Sequence, residues 1–335
     1  MSMTPSSDGP SASVVVPTRN RADLIARFLP SLAAQEVAEP YEVIVADNGS
    51  TDETPAVVEE LSRRWPHVRS VRETRPGGAR ARHAGALAAR SPLLIFVDDD
   101  MRADPRLVAA HLCAHRESPG GVVVGDIASA PGPHPFDRMM AYIYDGPKRT
   151  LAGRAPGVHD YWSGNASLGR DLYLRLGGYT GALAELRCGE DMEFGLRLKS
   201  AGVSVRFAPE AVTHHHFTER FGARLDRAYR VGVAWAYLNG RYPGLQIGIA
   251  EPARGRWRAR AVELACRAFA RAAEPFDRGR GVPCVPLAYA YALGLRTATG
   301  RGIADYYAGR TPLRRRLEGA PGATSLGAPP AGGAD

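Results

Sequence analysis

Three carboxylates in a row, Asp98-Asp99-Asp100, directly follow the apolar run Leu93-Leu94-Ile95-Phe96-Val97. A continuous apolar run closed by a polar cluster reads as a buried central strand of a parallel sheet. Functional groups in such sheets sit beyond the carboxyl ends of the strands. Side chains i and i+2 of an extended segment point the same way, so Asp98 and Asp100 are expected to share a face and Asp99 to oppose them. Two hard oxygen donors on one face suit Mg²⁺ or Mn²⁺, ions that keep open positions for substrate phosphates. An isolated acidic triplet is also what a solvated strand-to-helix turn looks like, and only the rest of the chain decides between the two. Further chemistry-bearing residues lie downstream. Glu190-Asp191 follows Gly189 and opens a helical pattern, where acids stabilise the first turn by about 0.3–1 kcal/mol with or without a function. His214-His215-His216 ends a strand pattern, with His214 and His216 on one face.

These groups must be held by elements, and the first 126 residues alternate strand and helix signals. Ser13–Val16 is a short apolar strand closed by Pro17, and Glu42–Ala46 is a second, ending at Asp47-Asn48-Gly49-Ser50. Val68–Val71, the run into Asp98 and Gly121–Asp126 complete the strand set. Helical spacing fills the intervals over Arg21–Ala34, Asp52–Arg64 with Thr51 as N-cap, Gly78–Arg90 and Asp104–Arg116. The rhythm implies an α/β fold with a parallel sheet covered by helices on both faces. It breaks at Ala128. Residues 128–160 are rich in Pro and Gly and carry Lys148, Arg149 and Arg154, which reads as long loops around a short helix near Phe136–Tyr144. Beyond them come Asn165–Gly169, helices over Arg170–Leu176 and Glu190–Ala201, and a strand over Val203–Phe207. Amphipathic stretches then run from Phe217 to Leu238 and from Trp257 to Phe269.

Composition bounds the function classes. A hydrophobic content of 44% and a charged content of 23% are ordinary for a globular protein. The balance of 43 basic against 35 acidic residues gives +8, which favours an anionic partner only weakly. Cys113, Cys188, Cys266 and Cys284 show no CxxC pairing, so neither a zinc cage nor a disulfide framework is expected, and a reducing cytosolic compartment fits. Met1–Ser13 lacks the apolar core of a signal peptide. Val282–Leu295 is too short to span a bilayer, which needs about 20 apolar residues.

Taken in order, five motifs resemble the family 2 glycosyltransferases of the GT-A fold. They are Val14-Val15-Val16-Pro17-Thr18-Arg19-Asn20, Asp47-Asn48-Gly49-Ser50-Thr51-Asp52, Ala81-Arg82-His83-Ala84-Gly85, Asp98-Asp99-Asp100 and Glu190-Asp191. The resemblance covers about residues 12 to 240. It implies a nucleotide-diphospho-sugar transferase fold with a mostly parallel central sheet, and transfer of a sugar from a nucleotide-diphosphate donor with inversion, UDP-sugars being favoured. Pro17, Thr18, Arg19, Asn20, Asp47 and Arg82 would line the donor nucleotide. Asp98 would bind the ribose, Asp99 would position its neighbours, and Asp100 would hold Mn²⁺ or Mg²⁺ with a histidine, His214 or His216. Asp191 would be the general base that inversion requires, with Glu190 beside it. Trp162 and Asn165 would form the acceptor floor. Position 83 is His where the family more often has Asn.

The chain is expected to divide into a flexible N-terminus (1–11), a catalytic domain (12–216), a helical C-terminal extension (217–318) and, from its Gly, Ala, Pro and Ser composition, a disordered tail (319–335). Within the catalytic domain, 12–126 would bind nucleotide and 127–216 would face the acceptor. No nucleic-acid partner is implied. A rival enzyme, a sugar-phosphate nucleotidyltransferase, normally carries a Gly-rich basic loop after the first strand, and Pro17-Thr18-Arg19-Asn20 is not one. A phosphoacceptor signalling domain is about half as long and has no use for Glu190-Asp191. A non-catalytic nucleotide-sugar-binding relative would not need Asp98, Asp100 and Asp191 together. The acceptor, whether glycan, lipid carrier or natural product, stays open. The arginine-rich stretch Arg254–Phe276 is compatible with peripheral contact to the inner face of a membrane.

Overall fold

The computed structural model describes residues 9–151, 160–179, 188–217, 220–242, 256–277 and 283–314, with Leu183, Leu186 and Leu245 singly. The chain divides into two compact units, residues 1–130 with 143–217, and residues 131–142 with 218–335.

The first unit is built on a curled eight-stranded sheet in the order β3-β2-β1-β4-β7-β6-β8-β5. Its strands are β1 (Ala12–Thr18), β2 (Tyr41–Asp47), β3 (Val68–Arg72), β4 (Leu93–Val97), β5 (Met101–Ala103), β6 (Val122–Ala130), β7 (Asn165–Gly169) and β8 (Val205–His216). The pairings among β3, β2, β1 and β4 are parallel, as is β6 with β8. The expectation of a parallel sheet holds for that first half. Beyond it, β7 runs antiparallel to both β4 and β6, and β5 antiparallel to β8.

Alternation along the central strands explains why both faces are covered. Val14, Val16, Val43, Val45, Ile95 and Val97 face one apolar cluster, which includes residues of α1 (Ala22–Ala33) and α4 (Leu107–Glu117). Val15, Ile44, Leu94 and Phe96 face the other, with residues of α3 (Gly78–Ala88), α6 (Arg170–Arg175) and α7 (Glu190–Ser200). Strand order reverses between β1 and β4, and at such a switch point the connections leave to opposite sides and open a crevice beyond the strand ends. Thr18 and Asp98 stand there.

Two local expectations are corrected. Helix α2 spans Thr54–Arg64, and Thr51 is not its cap. The Thr51 N–H donates to Asn20 Oδ1 at 2.8 Å, while Asp52 Oδ1 accepts from the Thr54 N–H at 3.0 Å. Residues 128–151 are also more regular than their Pro/Gly content implied. β6 continues to Ala130, and α5 runs from Pro135 to Leu151, seventeen residues. Pro135 stands at its first position, where the missing N–H costs nothing, and Phe136, Met139 and Met140 bury a helical face. Lys148 and Arg149 therefore lie on this helix, whereas Arg154 falls outside the described residues, as do the tail 319–335 and the first eight residues.

In the second unit α8 (Phe221–Arg241), α9 (Arg256–Ala273) and α10 (Val285–Tyr307) pack together, joined to the N-terminal part of α5 by the rings of Phe136, Phe221 and Tyr291. α8 and α10 cross at glycines. A Cβ at Gly232 would meet the Thr299 carbonyl at 2.0 Å, and one at Gly302 the Tyr229 carbonyl at 2.0 Å, so any side chain there would push the helices apart. Buried pairs Arg301–Glu263 and Arg138–Asp277 tie the unit together. No helix among the described residues is long and apolar enough to cross a membrane.

Candidate active site

Strand β4 ends at Val97, so the three aspartates leave extended geometry and the expected alternation does not hold. Asp99 turns inward beneath the switch point, where it accepts a hydrogen bond from Thr18 Oγ1 at 2.7 Å. Asp99 and Asp100 then converge on one cation. Arg21 Nη1 donates to Asp99 Oδ1 at 2.9 Å and to Asp100 Oδ2 at 3.1 Å. Burial pushes the Asp99 carboxyl above the usual carboxylate range, and the neighbouring Asp100 adds to this against Arg21. For the partly buried Asp100, desolvation acts in the same direction, but His215 and Arg21 outweigh it and hold its carboxyl below that range. The pair thus shares its charge unequally.

Asp98 goes the other way, into a close ion pair with Arg82 Nη2 on α3. The same guanidinium donates from Nη1 to Glu190 Oε1 at 3.2 Å, at the start of α7. Desolvation opposes the charge of this buried arginine, but Asp98, Glu190 and Asp191 together raise its pKa. Arg82 therefore clasps two acidic motifs to each other instead of facing outward, and its Nε has no hydrogen-bond partner among the described residues. Asp191 stands next to this clasp on the first turn of α7, with Ser163 Oγ donating to its Oδ2 at 3.4 Å. Gly189 precedes the turn with φ 83°, a left-handed conformation that favours glycine. His83, the departure from the family pattern, lies against Tyr173 with Nδ1 3.3 Å from its hydroxyl.

At the other wall of the crevice, β1 and β2 end side by side, with Thr18 opposite Asp47. Asp47 Oδ1 accepts from the Ser50 N–H at 2.9 Å, which closes the Asp47–Ser50 turn on itself. Asn20 takes a left-handed backbone, φ 51°, and the Ser50 hydroxyl accepts from its N–H at 2.9 Å. Pro17 is buried within β1, so its carbonyl and ring serve the strand, while Arg19 and Asn20 lie at the rim. Asn48 Nδ2 donates to the carbonyls of Glu73 and Arg75, and its Oδ1 accepts from the Gly77 N–H, which pins the entry to α3.

The histidine that reaches Asp100 is His215. Strand β5 pairs antiparallel with the end of β8, Met101 opposite His215 and Arg102 opposite His214. This register brings His215 Nε2 to 3.6 Å from Asp100 Oδ1, an ion-pair separation and not a hydrogen bond. His216 instead stacks on Phe28, with ring centroids 4.7 Å apart, and His214 precedes both on β8, opposite Arg102. Of the three histidines it is thus His215, and not His214 or His216, that stands beside Asp100. The residues fit a hard divalent ion: Asp100 Oδ1 is buried without a hydrogen-bond partner and faces an imidazole nitrogen. No three His, Cys, Asp or Glu side chains converge among the described residues, so most of such an ion's coordination would fall to donor phosphates and water.

Of the two residues expected at the acceptor floor, Asn165 is enclosed and Trp162 is partly exposed. Asn165 is fully buried, its Nδ2 donating to the carbonyls of Asp126 at 2.9 Å and Ala211 at 2.8 Å, and its Oδ1 accepting from His111 Nε2 at 2.8 Å. Both amide hydrogens are committed and the side chain has no exposed surface. Its task is to satisfy the β6–β8 irregularity between Gly125 and Asp126, which frees the Ala211 carbonyl and sets the register that delivers His215. Trp162 is half-buried and donates from Nε1 to the Gly125 carbonyl at 3.2 Å, so its indole edge is committed to the sheet.

Comparison with known proteins places this geometry. The model of glycosyl transferase family 2 matches residues 13–177, the stretch that contains β1 to β4 and the three aspartates. These residues belong to glycosyl transferase family 2. The domain is similar to validoxylamine A glucosyltransferase of Streptomyces hygroscopicus subsp. jinggangensis, with 32% identity over 231 residues, covering 60% of this chain and 54% of that protein. The chain spans about half the length of the curated relatives it matches first. Among solved structures, the mannosyltransferase PcManGT of Pyrobaculum calidifontis, in complex with GDP-Man and Mn²⁺, aligns with a TM-score of 0.59 at 20% identity, over 89% of this chain and 88% of that one. S. aureus TarS 1–349 in complex with UDP-GlcNAc aligns with a TM-score of 0.53 at 16% identity, over 90% and 93%. At such identities the likeness shows the fold, which is GT-A.

Two residues of the site, Arg21 and His215, were not singled out by the sequence reading. Arg21 follows Asn20 and looked like an ordinary helix-opening arginine; only the left-handed turn at Asn20 swings it over Asp99 and Asp100. His215 was hidden by strand alternation, and the pairing of so short a strand as β5 is not legible in sequence.

Proposed function

We propose that this chain is an inverting glycosyltransferase that moves a sugar from a nucleoside-diphosphate donor to a hydroxyl acceptor. The observation that carries the reading is the Arg82 clasp. It joins the acidic end of β4 to the start of α7, so that Asp191 stands beside the edge where the donor's anomeric carbon would lie. Both solved relatives named above were crystallised with nucleotide-sugar donors, one bearing a guanosine and one a uridine nucleotide, so the base is left open between them.

In this reading the ends of β1 and β2, with Thr18, Arg19, Asn20 and Asp47, receive the base and ribose. Asp100 and His215 would hold Mn²⁺ or Mg²⁺, which when bound neutralises charge developing on the departing nucleoside diphosphate. Arg21 supplies a fixed positive charge on the same side. Asp191 removes the proton from the acceptor hydroxyl as its oxygen attacks the sugar from the face opposite the leaving group. Ser163 keeps the Asp191 carboxylate oriented, and Arg82 keeps Glu190 from competing for the same proton by holding it as an ion-paired carboxylate.

Asp191→Asn preserves shape and removes basicity. Release of nucleoside diphosphate from a panel of nucleotide sugars, offered with hydroxyl acceptors, should fall by about 10²–10⁴ in that variant while nucleoside-diphosphate binding is retained. Turnover at the parental rate would remove Asp191 from the role of base.

A further inference from the structure

Helix α9 is amphipathic in an unusual sense: both of its faces are apolar, and only one is covered. Ala259, Glu263, Cys266 and Ala270 are buried, with Glu263 neutralised by Arg301 of α10. On the opposite side, at 3.6 residues per turn, Trp257, Ala261, Leu264, Ala268 and Ala272 form one stripe. Trp257 is 78% exposed and Leu264 65% exposed. Exposed arginines flank that stripe, Arg260 and Arg271 along one edge and Arg258 along the other. Glu263 is the sole acid in the helix and points inward, so the exposed face carries positive charge alone.

The apolar surface continues past the helix end. Phe276 is 85% exposed in the turn Glu274–Phe276 that follows α9. The Cys284 N–H donates to Asp277 Oδ2 at 2.9 Å, which sets the start of α10 beside that turn and brings exposed Val285 and Tyr289 to the same end. Six of the ten large exposed hydrophobic side chains among the described residues lie on this stretch, Phe269 being the sixth. Apolar residues with an aromatic at the end of the stripe and arginine-only flanks along α9, with Glu274 and Asp277 beside Phe276 both engaged by Tyr291 and Arg138, match a surface that offers both hydrocarbon and negative charge.

We propose that the outer face of α9, with Phe276, Val285 and Tyr289, docks on an anionic lipid bilayer, its apolar stripe entering the interface and Arg258, Arg260 and Arg271 meeting lipid phosphates. The charge argues for lipid over a second copy of this chain, because two such faces would set arginines against arginines. The surface belongs to the second unit alone and is independent of the catalytic reading.

The test is flotation of the full chain with unilamellar vesicles of phosphatidylcholine, or of phosphatidylcholine mixed with phosphatidylglycerol, at low and high salt. Binding to the anionic vesicles should exceed that to the neutral ones by about tenfold or more and should weaken with salt. Leu264→Glu, and separately Arg260→Glu with Arg271→Glu, should each cut it at least about tenfold. These side chains are exposed, and unchanged circular dichroism and melting would verify the fold; Trp257→Ser is a further substitution on the same stripe. Absence of anionic-vesicle binding overturns the proposal, as does binding that all the variants retain. A concentration-dependent dimer that Leu264→Glu abolishes, with no flotation of the parent, would assign the face to a second copy instead.

Discussion

Arg82 donates from one guanidinium to Asp98 and to Glu190, carboxylates that belong to motifs far apart in sequence. A planar fork is needed for this, since its two terminal nitrogens point along different directions, whereas an ammonium is a single point charge. Arg82→Lys should therefore keep the charge and lose the clasp. Removing one partner from a buried charge network typically costs about 3–5 kcal/mol, and the lysine variant should recover only part of the loss seen in Arg82→Ala. Chemical denaturation of the two variants measures this, and equal stability of Arg82→Lys and the parent would show that geometry is not the issue. The residue types at the site were legible in sequence: the aspartates, Arg82 and Glu190-Asp191 all stand at the crevice. Their partners were not. That Arg82 faces inward, that Asp99 hangs from Thr18, and that Arg21 joins Asp99 to Asp100 depend on where β4 ends and how Asn20 turns, and both are set by packing.

Among the elements, β7 and α4 are joined by a chain of hydrogen bonds whose direction is fixed from one end. Asn165 donates twice through Nδ2, so its Oδ1 must accept from His111 Nε2–H. His111 Nδ1 then accepts from Ser167 Oγ–H, and Ser167 Oγ accepts from His115 Nε2–H. Both imidazoles are neutral in this chain, and burial pushes each down to about 4. A group that binds its proton less readily folded than unfolded makes stability fall as pH drops below its unfolded value. Stability should accordingly decline from about pH 6.5 towards pH 4, by roughly 2–3 kcal/mol for a buried ring. Asp99, held above its ordinary range, acts in the opposite sense, so the decisive measurement compares the parent with His115→Gln. Denaturation across this window should show a shallower slope in the variant, and identical slopes would contradict the assignment. The periodicity of β1, β2, β4 and the first four helices announced these elements, because apolar runs and 3.6-residue spacing reflect burial directly. The antiparallel placement of β7, the length of α5 and the irregularity near Gly125 were not announced. They follow from pairing between distant strands and from buried polar contacts such as those of Asn165, which leave no periodic trace.

At the scale of the molecule, the strand order that reverses between β1 and β4 places the ends of β1 and β2 and the acidic end of β4 on either side of one crevice. The family 2 match covers the strands and aspartates of that crevice, while α8, α9 and α10 lie beyond the matched residues, α8 and α10 packing through Gly232 and Gly302. The central claim is that a nucleoside diphosphate binds at this crevice through a divalent ion held by Asp100. Titration calorimetry of uridine and guanosine diphosphates, with Mn²⁺ and with chelator, in the parent and in Asp100→Ala, addresses it most directly. The account predicts that one of these nucleotides binds the parent in the presence of Mn²⁺, that chelator weakens this binding, and that Asp100→Ala loses the Mn²⁺-dependent part while keeping its melting behaviour. Equal, Mn²⁺-dependent affinity in the parent and in Asp100→Ala would contradict it.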